Sequence, residues 1–143
     1  MSMDAEHFEH GADIGVRGRG RTAGEAFEGA ARALFLLLAE DLAGIGAEAE
    51  QPVACEGGTL EELLVVFLNE LIFFAESRSL VFGSFEVKIE KASEFYRLTG
   101  RARGEPFSPD RHTFTVQPKG ATFTELEVSQ RDGEWVAQCV VDV

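Results

Sequence analysis

His7, Glu9, His10 and Asp13 place four ionisable side chains within seven residues. Imidazole nitrogens and carboxylate oxygens together suit a hard or borderline divalent cation. In an extended segment His7, Glu9 and Asp13 would share one face. The same residues also suit a solvated strand edge. A second candidate lies at Asp142, which follows the apolar run Trp135–Val141 and precedes Val143 with its terminal carboxylate. Asp is depleted in strands. Carboxylates at the end of a buried strand repel one another unless a cation or a basic side chain compensates. A frayed end is the plainer alternative. A third candidate is Gly18-Arg19-Gly20-Arg21 ahead of a helix start, where a phosphate could rest. Its glycine spacing matches neither GxGxxG nor GxxxxGK[ST], so a turn is expected.

Nucleophilic chemistry has no comparable signature. GxSxG and HExxH are absent, and neither Cys55 nor Cys139 has a sequence-local His. The chain is therefore read as a non-enzyme, with no catalytic residue assigned. Without a CxxC pair the zinc-finger and thioredoxin readings fail, and both cysteines read as buried thiols of a reducing compartment.

These residues must be held by elements that the pattern predicts. His7–Arg17 reads as extended, interrupted near Gly11. Thr22-Ala23-Gly24-Glu25 is a capping box, opening a helix over about 22–40 on Phe27, Ala30, Ala31, Leu34, Leu37 and Leu38. Pro52–Glu56 is a short strand. Thr59-Leu60-Glu61-Glu62 opens a second helix, to about Ala75. Period-two patterning then predicts strands at Leu80–Lys91, Phe95–Arg103, His112–Val116, Thr124–Arg131 and Trp135–Val141, with turns at Gly104–Asp110 and Asp132-Gly133. The expected fold is α+β: two helices packed on one face of a mixed, largely antiparallel sheet, in a single two-layer domain over residues 1–143.

The second helix is apolar nearly all round. Leu60, Leu63, Leu64, Phe67, Leu68, Leu71 and Phe74 fill a core face, while Val66 and Phe73 lie on another. Either the helix is sandwiched or Val66 and Phe73 meet a partner.

Composition narrows the function. The chain has 143 residues, with 13 Lys and Arg against 25 Asp and Glu, for a net charge of −12. Phosphate-driven nucleic-acid binding needs clustered Lys and Arg, so no direct high-affinity binding of nucleic acid is expected. Cation binding or a basic protein partner is favoured. The N-terminal residues lack the apolar core of a signal peptide, and no membrane span is read; the expected location is cytoplasmic.

Taken in order, these segments resemble the archease family along nearly the whole chain. Phe8-Glu9-His10-Gly11-Ala12-Asp13-Ile14-Gly15-Val16 is similar to its opening F-x-H-T-A-D-I-G/A motif. Thr22 to Ala31 resembles its first helix, and Leu63 to Phe74, with Phe67-Leu68-Asn69-Glu70-Leu71, its second. Lys119-Gly120-Ala121-Thr122-Phe123 resembles the K-A-x-T-Y run, and Leu126 to Val128 and Trp135 to Val143 the closing strands. Gly11 stands where the family usually has Thr, and Phe123-Thr124 where it has Tyr-His.

The resemblance implies a protein cofactor of the RtcB-type RNA-splicing ligase. That ligase uses GTP and a divalent metal to join a 3′-phosphate or cyclic phosphate end to a 5′-hydroxyl end. The cofactor would promote ligase guanylylation and multiple turnover. By the same resemblance Asp13, Asp142 and the Val143 carboxylate would hold a divalent ion, with His10 and Lys119 as further functional positions. Oxygen ligands alone favour Ca²⁺, Mg²⁺ or Mn²⁺. A role as chaperone or specificity modulator of an RNA-modifying enzyme, such as a tRNA methyltransferase, is the alternative.

Overall fold

The computed structural model describes residues 4–112 and 116–143. Its first element is a hairpin of β1 (Ala5–His10) and β2 (Asp13–Gly20), joined by Gly11-Ala12. The Gly18–Arg21 turn expected from the glycines is instead largely strand, with Gly18 to Gly20 inside β2. The physical reason is close packing: a Cβ on Gly18 would lie 2.0 Å from the Ala26 carbonyl oxygen. These glycines let a helix lie directly on the strand.

That helix is α1 (Ala23–Phe35), capped as expected by Thr22, whose hydroxyl accepts the Glu25 N–H at 3.0 Å. It stops short of residue 40 because its C-terminus tightens: the Leu37 and Leu38 N–H groups donate to carbonyls three residues back. Both leucines stay buried, so the apolar period outlasts the α-helix itself.

A short 3-10 turn (Leu42–Gly44) leads to β3 (Ala49–Gly57). Next comes α2 (Leu60–Arg78), capped by Thr59 on the Glu62 N–H at 3.1 Å and closed by Ser79 at φ 53. β4 (Leu80–Lys91) and β5 (Tyr96–Pro106) follow. The chain ends in β6 (Gly120–Ala121), β7 (Glu127–Arg131) and β8 (Glu134–Asp142). The strand expected at 112–116 falls mainly on residues 113–115, outside the described residues. Asp132 and Gly133, at φ 54 and 80, make the two-residue turn between β7 and β8, where both positions need positive φ.

The α+β class and the two helices are borne out. The strands form two sheets, and all their pairings among the described residues are antiparallel. One sheet runs β1-β2-β8 and then β6 and β7, which share the far edge of β8; the other runs β3-β5-β4. Helix α1 packs on β2, β8 and β4, while α2 packs on β3, β5 and β4 and reaches β6 and β7. The core is one cluster between them, with Phe27 stacked on Phe67 at 6.0 Å and Phe35 against Phe82 at 5.4 Å. Glu28 on α1 adds a polar link, its carboxylate accepting the Val87 N–H of β4 at 2.9 Å. No described helix is long and apolar enough to cross a membrane.

Candidate functional site

Strand register decides which ionisable groups meet. In an antiparallel pair, directly opposed residues share a face of the sheet. His10 opposes Asp13 across the first hairpin, while Glu9 opposes Ile14 and His7 opposes the buried Val16. The hairpin turn therefore splits the N-terminal cluster. His7 and Glu9 lie on the helix side, where the His7 Nε2 meets the Ala33 carbonyl of α1 at 2.6 Å. His10 and Asp13 lie on the other face. The expectation that His7, Glu9 and Asp13 share one face is corrected: the reversal at Gly11-Ala12 flips Asp13 relative to a continuous strand.

The second register brings the two ends of the sequence together. Ile14 opposes Val141 across β2 and β8, so Asp13 and Asp142 are the next positions along the same ladder. On the far side of β8, Gly120 of β6 opposes Asp142, and the Lys119 N–H donates to the Asp142 carbonyl at 2.8 Å. Asp13, Asp142 and Lys119 therefore gather at one end of the sheet, with His10 across from Asp13. Asp13 is half-buried, whereas His10, Lys119 and Asp142 are exposed and Val143 packs against the core. Among the described residues neither carboxylate is within ion-pair reach of a Lys or Arg, Lys119 included.

What could this end hold? Among the described residues, no three His, Cys, Asp or Glu side chains are grouped to hold a metal. A closed four-ligand zinc centre does not fit. Two neighbouring, unpaired carboxylates do fit a hard cation that keeps most of its water, since such ions are commonly held by one or two carboxylates.

The supports of this end were not legible in the sequence. Asn69 sits in the middle of α2, and its Oδ1 accepts the Ala121 N–H at 2.8 Å while its Nδ2 donates to the Ala121 carbonyl at 3.3 Å. Gln138 of β8 is buried and bridges two neighbours, accepting from the Arg17 Nε at 2.8 Å and donating to the Glu125 carbonyl at 3.1 Å. The Gly18-x-Gly20 arginines have partners of their own: Arg19 pairs with Glu6 at 2.8 Å and Glu134 at 3.3 Å, and Arg21 with Glu25 at 3.8 Å. A phosphate there would have to displace them.

A second polar cluster lies away from this end. Glu105 and His112 are both buried, with His112 Nε2 and the Glu105 carboxylate 2.7 Å apart. The Ser108 N–H donates to the His112 Nδ1 at 2.9 Å, so Nε2 carries the proton and donates to Glu105. Glu105 also accepts the Gly46 N–H at the start of the β3 approach. Both imidazole nitrogens are committed, so the pair pins loops and offers no base.

Helix α2 leaves its outer stripe uncovered: Val66 is 37% exposed and Phe73 60% exposed. The sandwiched alternative for this face is thereby excluded within the described structure.

The fold defines a small two-helix, two-sheet α+β protein whose strands β2 and β8 bring Asp13 and Asp142 to one sheet end. Residues 6–143 match the Archease protein family (MTH1598/TM1083), and the chain belongs to that family. It is 42% identical over 139 residues to the protein archease of Pyrococcus furiosus, covering 96% of this chain and 97% of that one. It is 41% identical over 141 residues to the protein archease of Methanopyrus kandleri, covering 99% and 100%. The solution structure of protein 1598 of Methanobacterium thermoautotrophicum superposes with a TM-score of 0.87 at 30% identity, over 99% of this chain and 100% of that one. A crystal structure described as an archease, possible chaperone, from Thermotoga maritima superposes with a TM-score of 0.56 at 19% identity, over 95% and 94%, and so shares the fold.

Proposed function

We propose that this protein is a non-catalytic activator of the GTP-dependent, RtcB-type RNA-splicing ligase, acting in tRNA splicing and RNA repair. The observation that supports this most is the meeting of Asp13 and Asp142 in a chain of the archease family. In this reading Asp13 and Asp142 hold a divalent ion, with Val143 beside them and His10 and Lys119 at the rim. A hard cation there supplies positive charge for phosphate oxygens that the −12 chain would otherwise repel. The chain's own part is to present two carboxylates on a rigid sheet end, held by β2, β8 and β6.

The test is multiple-turnover RNA ligation by the cognate ligase, with thermal melting alongside. Catalytic amounts of the wild type should raise ligase guanylylation and turnover. Asp13→Ala or Asp142→Ala should abolish that gain. Without metal, both variants should melt at or slightly above the wild-type temperature, because a repelling carboxylate is gone. Mg²⁺, Mn²⁺ or Ca²⁺ should raise the melting temperature of the wild type alone, since a ligand that binds only the native state stabilises it. Equal shifts in all three proteins would place the ion elsewhere.

A second reading is a chaperone or specificity modulator of an RNA-modifying enzyme, such as a tRNA methyltransferase. Its support is the uncovered Val66–Phe73 stripe, together with the chaperone description of the Thermotoga maritima protein. Unchanged ligase turnover with altered methyltransferase specificity would favour it.

A further inference from the structure

The large hydrophobic side chains that stand exposed among the described residues are Val66 and Phe73 on α2 and Phe123, two residues beyond the Ala121 that α2 holds. Val66, Asn69 and Phe73 follow one another at three- and four-residue steps, so they form one stripe of α2. Asn69 at its middle holds Ala121, and Phe123 lies two residues beyond Ala121. Gln117 and Pro118 border a cavity shared with Ile72, Ala75 and Glu76. The 117–123 segment thus runs along α2 from its C-terminal half past Asn69. Phe73 and Phe123, 60% and 67% exposed, stand in water where burial against a partner would be favourable.

The charges around the seam are mostly of one sign. Glu62 and Glu70 are helical neighbours of Val66, Glu70 and Glu76 are neighbours of Phe73, and Glu125 follows Phe123. Gly120, at the head of the same segment, opposes Asp142. Lys119 is the counterexample. This charge selects the occupant. A second copy would set like carboxylates against each other, and RNA or an anionic membrane would bring phosphates to them.

We infer that the Val66–Phe73–Phe123 seam is a docking surface for a partner protein whose matching patch is an apolar socket rimmed by Lys and Arg. The inference rests on the proposed function for its occupant, which is the RNA ligase. Asn69 ties the seam to β6, and β6 is laddered to Asp142. A partner seated on the seam therefore abuts β6, the strand paired with the Asp142 end of β8, while the Asp13 side chain lies on the sheet face away from the helices, so the seam holds the ligase and the carboxylates are a separate contact.

The experiment is titration calorimetry of the cognate ligase with wild type, Phe73→Ser, Phe123→Ser and the double variant. Ligation turnover, circular-dichroism melts and light scattering are measured in parallel. Each single variant should remain folded and bind about fivefold or more weakly, and the double variant about thirtyfold or more, as loss of buried aromatic anchors does. Wild-type binding should weaken between about 0.05 and 0.5 M salt. If the helix substitution unfolds the domain, Phe123→Ser, on a non-helical segment, decides alone. Wild-type binding and activation matched by the double variant would overturn the docking surface while leaving the proposed function standing. A wild type that neither binds nor activates the ligase overturns both. A wild-type dimer that the double variant dissociates assigns the seam to a second copy and overturns the inference.

Discussion

Asn69 makes both of its amide hydrogen bonds to the backbone of one residue, Ala121, and so stands where a neighbouring strand would stand. β6 is only two residues long, and its inner edge is laddered to β8. The helix side chain satisfies the outer N–H and carbonyl that such an edge leaves open. This is how an apolar helix comes to support the Asp142 end of the sheet.

Removing that clamp should cost about 1–2 kcal/mol, since a net intramolecular hydrogen bond is worth about 0.5–1.5 kcal/mol. Asn69→Ala should lower the urea midpoint without changing its slope. Amide exchange at Ala121 should quicken more than exchange in β2 or β7. Unchanged protection at Ala121 would show that β6 holds without α2.

The Glu105–His112 pin sets an acid limit. The Gly46 N–H holds the Glu105 carboxyl below the usual carboxylate range; burial opposes this, and the His112 side chain and the Arg111 charge reinforce it. A carboxyl with a depressed folded pKa adds stability that is full above its unfolded value, about 4.3. That stability is lost as pH falls through the folded value. Glu105→Gln should therefore be less stable than wild type at pH 7, by about 1–3 kcal/mol. The difference should shrink below about pH 4. A difference constant from pH 7 to pH 3 would assign the loss to packing.

The thiols should be silent until the protein opens. Burial pushes Cys139 up to about 12 and Cys55 up to about 11, so neither supplies thiolate near neutrality. A thiol-specific reagent at pH 8 should label the native protein only at its opening rate, and both cysteines at once in denaturant. Prompt labelling of one thiol in buffer would refute the buried reading of that residue.

Features written in short stretches of sequence were legible. Thr22 with Glu25, Thr59 with Glu62, and the Asp132-Gly133 turn are each closed within a few residues, and each appears in the fold as expected. Features that need a distant partner were not. Gly18 and Gly20 look like a turn until α1 is seen lying on them. The pattern of His7, Glu9 and Asp13 has no way to record the reversal at Gly11-Ala12. Asn69 in an apolar helix, and Glu105 with His112, carry no local signal at all, because their partners come from other elements. Two sheets rather than one follow for the same reason: period-two segments declare strands but not which strands pair.

Strand β8 lies between β2 on one side and β6 and β7 on the other, although it is made after all of them. The ladder that sets Asp13 beside Asp142 thus joins residues separated by nearly the whole described chain, a loop whose closure is entropically costly and slow. A nascent chain lacks this sheet end until β8, the last strand made, has docked between β2 and β6. Asp13 and Asp142 are thus brought to one sheet end by the last pairing in chain order, that of β8 with β2.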